Sequence, residues 1–127
     1  MSKVVLDASA LLALLNSEPG EEVVAKAIPG AIMSTVNLSE VVAKLAENGM
    51  PDDAIATALA GIEIEVLPFD EAAAYRAGGL RVQTRSLGMS FGDRACVALG
   101  QSLALPVLTT DRRWRELDAG VEIRVIR

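Results

Sequence analysis

The sequence contains no histidine and only one cysteine, Cys96, among its 127 residues. Histidine is the commonest general base in enzymes and a common zinc ligand, so its absence excludes chemistry that depends on an imidazole. A single cysteine excludes an internal disulfide and, without histidine, argues against structural zinc. Any hydrolytic chemistry in this chain must therefore rest on carboxylates and on a hard cation that they hold.

Aromatic residues and long apolar runs are also scarce. Aromatics make up 3% of a chain that is 51% hydrophobic, which predicts an aliphatic core. No apolar run approaches the ~18 residues that a membrane span needs, so we expect no membrane partner. The first residues, MSKVVLD, lead directly into a predicted strand without the pattern of a signal peptide. These features favour a cytoplasmic protein.

The charge is unevenly distributed along the chain. Residues 1–75 carry three lysines against twelve acids, a net −9, whereas residues 76–127 carry nine arginines against five acids, a net +4. Such an asymmetry can indicate an anionic partner such as a nucleic acid. It is equally typical of solvated helix faces on which arginine stems cover apolar surface. Composition leaves both interpretations open.

Short apolar runs alternate with helical patterns along the whole sequence. The run Val4–Leu6 has the unbroken apolar character of a parallel strand buried on both faces. This alternation predicts one α/β domain over residues 1–127, with a mostly parallel sheet flanked by helices. The other predicted strands are 31–34, 62–67, 107–109 and 121–126, and the last helices are predicted at 71–82, 94–103 and 112–117.

Four acidic residues stand where predicted strands end or helices begin. Asp7 and Asp111 each directly follow a buried strand. Glu40 and Asp93 each stand near the beginning of a helix. In a parallel α/β sheet all these positions lie at the carboxyl edge, where ligands bind. The four carboxylates could therefore face one crevice.

Each acid taken alone has a structural explanation. Asp7 and Asp111 are good N-cap residues. Ser90 and Asn37 each precede one of the other two acids by three residues, which is the spacing of a capping box. Four carboxylates on one edge repel one another, however, and capping gains nothing from gathering them there. A divalent cation would resolve that repulsion, so the four acids together predict a metal site that activates water against a phosphodiester.

Basic residues follow two of these acids closely, where they could hold phosphates that the acids repel. They are Arg94, Arg112, Arg113 and Arg115. Trp114 stands among the last three. It could stack on a base, but an aromatic residue packed beneath the last helix is the more usual arrangement.

Four segments in this order resemble those of one known family. They are VLDASALLALL around Asp7, STVNLSEV around Glu40, SFGDRACVALG around Asp93 and LTTDRRW around Asp111. Together they span the chain, and the chain resembles PIN-domain ribonucleases, in particular the VapC-type toxins of prokaryotic type II toxin–antitoxin pairs. The resemblance implies a parallel five-stranded sheet flanked by helices and an endonuclease that cleaves RNA with Mg²⁺ or Mn²⁺. It also implies a homodimer and inhibition by a small cognate antitoxin of the VapB type.

The resemblance also assigns roles to residues. Asp7 and Asp93 match direct metal ligands. Glu40 and Asp111 match acids that close the site directly or through water, so that all four are the expected catalytic residues. Three further residues match polar positions that flank the pocket. They are Ser9, Asn37 and Thr109.

Other protein classes that gather acids at strand ends fit the sequence less well. A response-regulator receiver domain needs adjacent acids after the first strand and a lysine after the last, but Ala8 follows Asp7 and no lysine follows Lys44. A haloacid-dehalogenase-like phosphatase needs a second aspartate two residues after Asp7, where this chain has Ser9. The alternative function that stays open is a non-catalytic metal- or RNA-binding module of the same fold.

The leucine-rich segment 11–15 predicts an interaction surface. It offers more apolar side chains than one face of a small sheet needs. We expect it, with apolar parts of the helices at 36–60, to contribute to a dimer or antitoxin interface.

Overall fold

The computed structural model describes residues 3–127 of the chain. Its centre is strand β1 (Val4–Leu6), whose side chains are all buried. β1 pairs in parallel with β2 (Ala31–Ser34) on one side and with β4 (Val107–Thr109) on the other. The edge strands are β3 (Ile64–Leu67) and β5 (Ile123–Val125), which complete one all-parallel sheet in the order β3-β2-β1-β4-β5. The predicted five-stranded parallel sheet is confirmed.

Within residues 3–127, seven α-helices connect the strands and cover both faces of the sheet. None of them is long and apolar enough to cross a membrane. The helices are α1 (Ala8–Leu15), α2 (Glu21–Ala27), α3 (Thr35–Glu47), α4 (Asp52–Ala60), α5 (Glu71–Gly79), α6 (Arg81–Thr84) and α7 (Phe91–Leu103). Two short 3-10 helices are formed by Arg85–Leu87 and Arg112–Glu116.

Two predicted helices differ in form from the observed ones, and a third, predicted at 94–103, begins earlier, at Phe91. The helix expected over 71–82 divides at Gly79, because two consecutive glycines are poor helix formers. The segment after β4 forms a single 3-10 helix, the form that such short pieces commonly adopt.

The alternation of side chains along β1 divides the core into two layers. Val4 and Leu6 pack on the side of α1 to α4, whereas Val5 packs on the side of α5 and α7. Trp114 is fully buried in the second layer, so its core role is confirmed. Both layers are otherwise largely aliphatic, as the composition predicted.

The leucines of α1 contribute to the first of these layers. Leu11 is fully buried in this layer, and Leu12, Leu14 and Leu15 pack against the layer while staying partly exposed. Part of the apolar surface of segment 11–15, which we expected to face a partner protein, is therefore buried inside the domain. The predicted dimer or antitoxin interface would use what is left.

The strand order reverses direction between β1 and β4. The chain runs outward from β1 through β2 to β3 and then returns to β4 and β5. Leu6 is in register with Leu108, and the Asp7 N–H donates to the Leu108 carbonyl oxygen at 3.2 Å. The residues that follow β1 and β4 are thus neighbours. In α/β sheets a crevice for ligands opens at such a point.

Close packing of α7 on β4 yields a stability prediction. A Cβ on Gly100 would lie 2.6 Å from Cγ2 of buried Val107 and 3.0 Å from Cγ2 of Val121. We expect Gly100→Ala to lower the free energy of unfolding by about 1–3 kcal/mol, the usual cost of overpacking, despite the better helix propensity of alanine. Urea denaturation measures this change.

Gly78→Ala in α5 is the matched control, because nothing lies within 4 Å of a Cβ at that position. It should raise the free energy of unfolding by up to about 1 kcal/mol. Equal stabilisation by both substitutions would contradict the close approach of α7 to β4.

Candidate active site

Asp7 is the first residue after β1 and the N-cap of α1. Its Oδ1 accepts hydrogen bonds from the Ala10 N–H (2.8 Å) and the Ser9 hydroxyl (2.7 Å), and its Oδ2 accepts one from the Thr109 hydroxyl (2.6 Å). Burial and, as a smaller cause, the negative charge of Asp93 together raise the pKa of Asp7 to about 6 against the lowering effect of these bonds. None of the three donors is charged. The hydrogen bonds therefore leave the charge of this buried carboxylate unbalanced.

The two hydroxyls that bind Asp7 also hold the backbone after β4. Ser9 Oγ accepts a hydrogen bond from the Thr110 N–H at 3.0 Å, and Thr109 Oγ1 accepts one from the Asp111 N–H at 3.1 Å. Each hydroxyl thus donates to the carboxylate and accepts from the main chain, which fixes its orientation. Segments about a hundred residues apart in sequence are joined at this point.

Glu40 is held in place by its own helix. Asn37, which is 1% exposed, donates from Nδ2 both to Glu40 Oε1 (2.9 Å) and to the Gly92 carbonyl oxygen (3.0 Å). Removal from water raises the pKa of Glu40, the bond from Asn37 lowers it, and the charge of Asp93 raises it again. The capping box expected between residues 37 and 40 is wrong, because α3 begins a turn earlier with Ser34 as its N-cap.

Gly92 provides the space that the Glu40 carboxylate occupies. A Cβ at this position would overlap the Glu40 carboxylate atoms. Since the Asn37 side chain also binds the Gly92 carbonyl oxygen, the beginning of α7 and the first turns of α3 fit together only around a glycine.

Asp93 stands in the first turn of α7 and forms the predicted capping box. Ser90 Oγ accepts a hydrogen bond from the Asp93 N–H (3.2 Å), and Asp93 Oδ2 accepts one from the Ser90 N–H (2.9 Å). The capping prediction is confirmed. The cap occupies one carboxylate oxygen and leaves the other available for a second role.

Asp111 follows β4 and caps the 3-10 helix Arg112–Glu116. Its carboxylate accepts hydrogen bonds from the Arg113 N–H (3.0 Å) and, in a bidentate pair, from Arg113 Nε (3.1 Å) and Nη2 (2.7 Å). The hydrogen bond from the Arg113 side chain lowers the pKa of Asp111. The Asp111 side chain is 29% exposed and the Arg113 side chain is 58% exposed. Such a solvated ion pair adds little to the stability of the fold. Asp111 can therefore exchange this partner at low cost.

The four acids line one open cavity of about 450 Å³ at the carboxyl edge of the sheet. Its donor atoms are carboxylate and hydroxyl oxygens, which are the ligands that Mg²⁺ and Mn²⁺ prefer. Within residues 3–127, no three acidic or cysteine side chains stand close enough together, as oriented, to hold a metal ion. Each of the four acids accepts hydrogen bonds from the protein partners described above. The other lining residues are Ala8, Ser9, Leu12, Lys44 and Thr110.

All four arginines predicted to bind RNA lie outside the cavity lining, and Arg113 is paired with Asp111 as described above. Arg94 is half buried and donates from Nη1 to the Ala77 carbonyl oxygen at 3.0 Å, which joins α7 to α5. Arg112 donates from Nε to the Arg127 carbonyl oxygen at 3.1 Å. Arg115 is exposed. RNA binding by these side chains stays a prediction.

Two residues of the site were not predicted from the sequence. Lys44 lines the cavity, and its exposed Nζ lies 3.7 Å from Glu47 Oε1. The four-residue spacing from Glu40 to Lys44, one turn along α3, is the signal that could have indicated it. Gly92 gave no comparable signal, because its role depends on a carboxylate from another helix.

Residues 4–120 match the PIN domain family. This chain belongs to the PIN-domain family. The PIN-domain chain is 30% identical to ribonuclease VapC5 of Mycobacterium tuberculosis (strain ATCC 25618 / H37Rv) over 129 residues, which cover 97% of this chain and 93% of that protein. The family predicted from the four segments is confirmed.

Solved structures share the fold of this PIN domain. VapBC-5 from Mycobacterium tuberculosis, a member of the VapBC family of toxin–antitoxin systems, is similar with 26% identity and a TM-score of 0.60, covering 100% of this chain and 99% of that one. DNA-bound VapBC from Salmonella typhimurium is similar with 22% identity and a TM-score of 0.75, covering 98% of both chains.

The buried charge of Asp7 yields a prediction about the metal-free protein. Because folding raises the pKa of Asp7 from 3.8 to about 6, the folded state binds this proton more tightly than the unfolded chain does. The carboxylate therefore lowers stability progressively as pH rises from about 4 through 6, and the loss is complete above that range. Asn keeps the cap and removes the charge. In EDTA at pH 7 we expect Asp7→Asn to be at least as stable as the wild type. Its free energy of unfolding should exceed that of the wild type by up to about 3 kcal/mol.

Urea denaturation in EDTA between pH 4 and pH 8 measures this difference. Asp70→Asn is the control, since Asp70 is an exposed N-cap, on α5, that lies outside the cavity lining. Destabilisation of Asp7→Asn at pH 7, with Asp70→Asn unchanged, would mean that Asp7 serves the fold alone.

Proposed function

We propose that this PIN-domain protein is a metal-dependent endoribonuclease and the toxin of a toxin–antitoxin pair. The observation that carries the proposal is that all four predicted acids line one cavity at the point where the strand order reverses. The likeness to ribonuclease VapC5 along nearly the whole chain supports RNA as the substrate.

Mg²⁺ or Mn²⁺ is the proposed cofactor. Asp7 and Asp93 are the proposed direct ligands, and Glu40 and Asp111 complete the site directly or through water. The all-oxygen donor set and the unbalanced charge of buried Asp7 support a hard cation here. When bound, such an ion lowers the pKa of a coordinated water and neutralises charge that develops on the phosphodiester.

The other residues of the site orient these acids. Three hydrogen bonds fix the rotamer of Asp7. The Ser9 hydroxyl, the Thr109 hydroxyl and the Ala10 N–H each donate one of them. Glu40 is our candidate for the group that accepts the proton of the attacking water. The hydrogen bond from Asn37 holds this carboxylate against the beginning of α7, so that it does not move freely in solvent.

A VapB-like antitoxin is the proposed partner protein. The solved VapBC-5 structure belongs to a toxin–antitoxin system, and its likeness to this chain supports such a partner. We also propose a homodimer, in which the partly exposed leucines of α1 and apolar residues of α3 and α4 contribute to the interface with a second copy or with the antitoxin.

Cleavage should depend on metal. We expect purified protein to cleave single-stranded RNA in Mg²⁺ or Mn²⁺ and to stop in EDTA, with Asp7→Asn at least about 100-fold slower because a ligand is lost. Gel analysis of product formation measures both rates. The variant, purified in the same way, also controls for contaminating nuclease. Undiminished cleavage in chelator would contradict the mechanism.

The alternative is a non-catalytic RNA-binding module. It would be favoured if wild-type protein bound RNA in Mn²⁺ yet gave no products above the Asp7→Asn background from total cellular RNA. The same preparations thus distinguish the two functions.

Lys44 should attract the substrate phosphate into the acidic cavity that it lines. Met is a good helix former of similar length, so Lys44→Met removes the charge with little effect on α3. We expect a KM several-fold higher, and a log–log salt slope of RNA binding reduced by roughly 0.7 for the lost phosphate contact. Lys44→Arg should retain binding.

Lys26→Met is the matched control, because Lys26 is an exposed lysine on α2 outside the cavity lining. Equal effects of the two Met substitutions would show that Lys44 contributes only to the general charge of the protein.

A further inference from the structure

Phe91 is an exposed aromatic residue beside the acidic cavity. Its side chain is 50% exposed, although the chain contains only four aromatic residues. It directly precedes Gly92, whose Cα faces the Glu40 carboxylate, and it stands two residues before Asp93 in the cavity lining. The aromatic ring is therefore attached to the same turn that carries the predicted site.

Phe91 is supported by a second aromatic ring. Phe69 meets it edge to face, with the ring centroids 5.4 Å apart and the planes at 90°. The Arg94 guanidinium lies 5.9 Å from the Phe91 centroid, and its bond to the Ala77 carbonyl oxygen keeps it there. We call Phe69 and Phe91 the aromatic pair.

The backbone of the aromatic pair is fastened to the beginning of α3. The Phe69 N–H donates to Thr35 Oγ1 at 3.1 Å. The Asn37 side chain donates to the carbonyl oxygen of Gly92, the residue after Phe91, at 3.0 Å. The backbone beside each ring is thus hydrogen-bonded to the first turns of α3, the helix that carries Glu40.

Packing alone does not account for Phe91. Trp114 is fully buried, and Phe69 packs against the core layer of α5 and α7, but Phe91 belongs to neither core layer. A half-exposed ring with a cationic guanidinium beside it is the combination found where proteins bind single-stranded nucleic acid, because every base has a face that stacks on an aromatic ring and the cation attracts the phosphates of the strand.

We infer that Phe91, supported by Phe69, is a stacking subsite for a nucleobase of the RNA strand, adjacent to the phosphate that enters the acidic cavity. The inference rests on the proposed function. A stacked base next to the scissile phosphate fixes the register of the strand without reading its sequence, since stacking tolerates any base. Arg94 adds a positive charge beside the same ring, where the strand's phosphates pass.

Binding of a fluorescent oligonucleotide tests the subsite without cleavage. The probe is an eight-residue oligouridine with one 2-aminopurine, placed at each position in turn, and binding is measured in EDTA by anisotropy and by quenching of the 2-aminopurine. With wild-type protein we expect quenching at one position. Phe91→Leu should abolish that quenching and weaken binding about tenfold, within the range for the loss of one stacked base. Phe91→Tyr, which keeps a ring, should restore both.

An abasic residue at the quenched position separates stacking from other effects of the substitution. It should weaken binding to wild-type protein about tenfold and to Phe91→Leu not at all, because the contact is already lost. Tyr75→Leu is the matched control, since Tyr75 is a 78% exposed aromatic on α5 away from the cavity lining. It should leave binding and quenching unchanged.

Several results would overturn the inference. One is that Phe91→Leu binds as well as wild type; another is that the abasic residue weakens both proteins equally. A change in oligomeric state of Phe91→Leu, with RNA binding unaltered, would assign the ring to a protein interface. If wild-type protein neither bound nor cleaved RNA, both the proposed function and the subsite would be wrong. If Phe91→Leu bound and cleaved RNA as well as wild type does, only the subsite would be wrong.

Discussion

The hydrogen-bonded carboxylate of Asp7 is the interaction on which the arrangement of this PIN domain depends. It ends the central strand, begins α1 through the Ala10 N–H and binds the hydroxyls of Ser9 and Thr109. Those hydroxyls in turn accept the backbone N–H groups that follow β4. A buried anion must be fully hydrogen-bonded, so these partners cannot be lost singly without leaving it under-satisfied. The network therefore fixes the two central strands and the cavity together.

Three of the four acids cap a helix and also line the cavity. Asp7, Asp93 and Asp111 each bind the N–H groups at the beginning of a helix and also line the cavity. Helix N-termini carry partial positive charge, which offsets part of the repulsion among the carboxylates. Glu40 has no such cap role and is held instead by Asn37. The fold thus gathers negative charge at one edge while satisfying each acid locally.

The partners of these acids also differ in how readily they can be exchanged. The pair between Asp111 and Arg113 is solvated, so breaking it costs little free energy. The bond from Thr109 to Asp7 is buried and joins the ends of β4 and β1. One acid is therefore fixed by the fold while another can turn toward a ligand, an arrangement that suits a site in which a rigid carboxylate is completed by adaptable ones.

The sequence by itself determined the element order, the parallel sheet and the four acids, because apolar runs, caps and strand ends are local patterns. Only the tertiary structure decided what each acid touches. Asn37 meets Gly92 across 55 residues, and Lys44 enters the cavity only because of how α3 packs. Such contacts join segments distant in the chain, and no local periodicity encodes them.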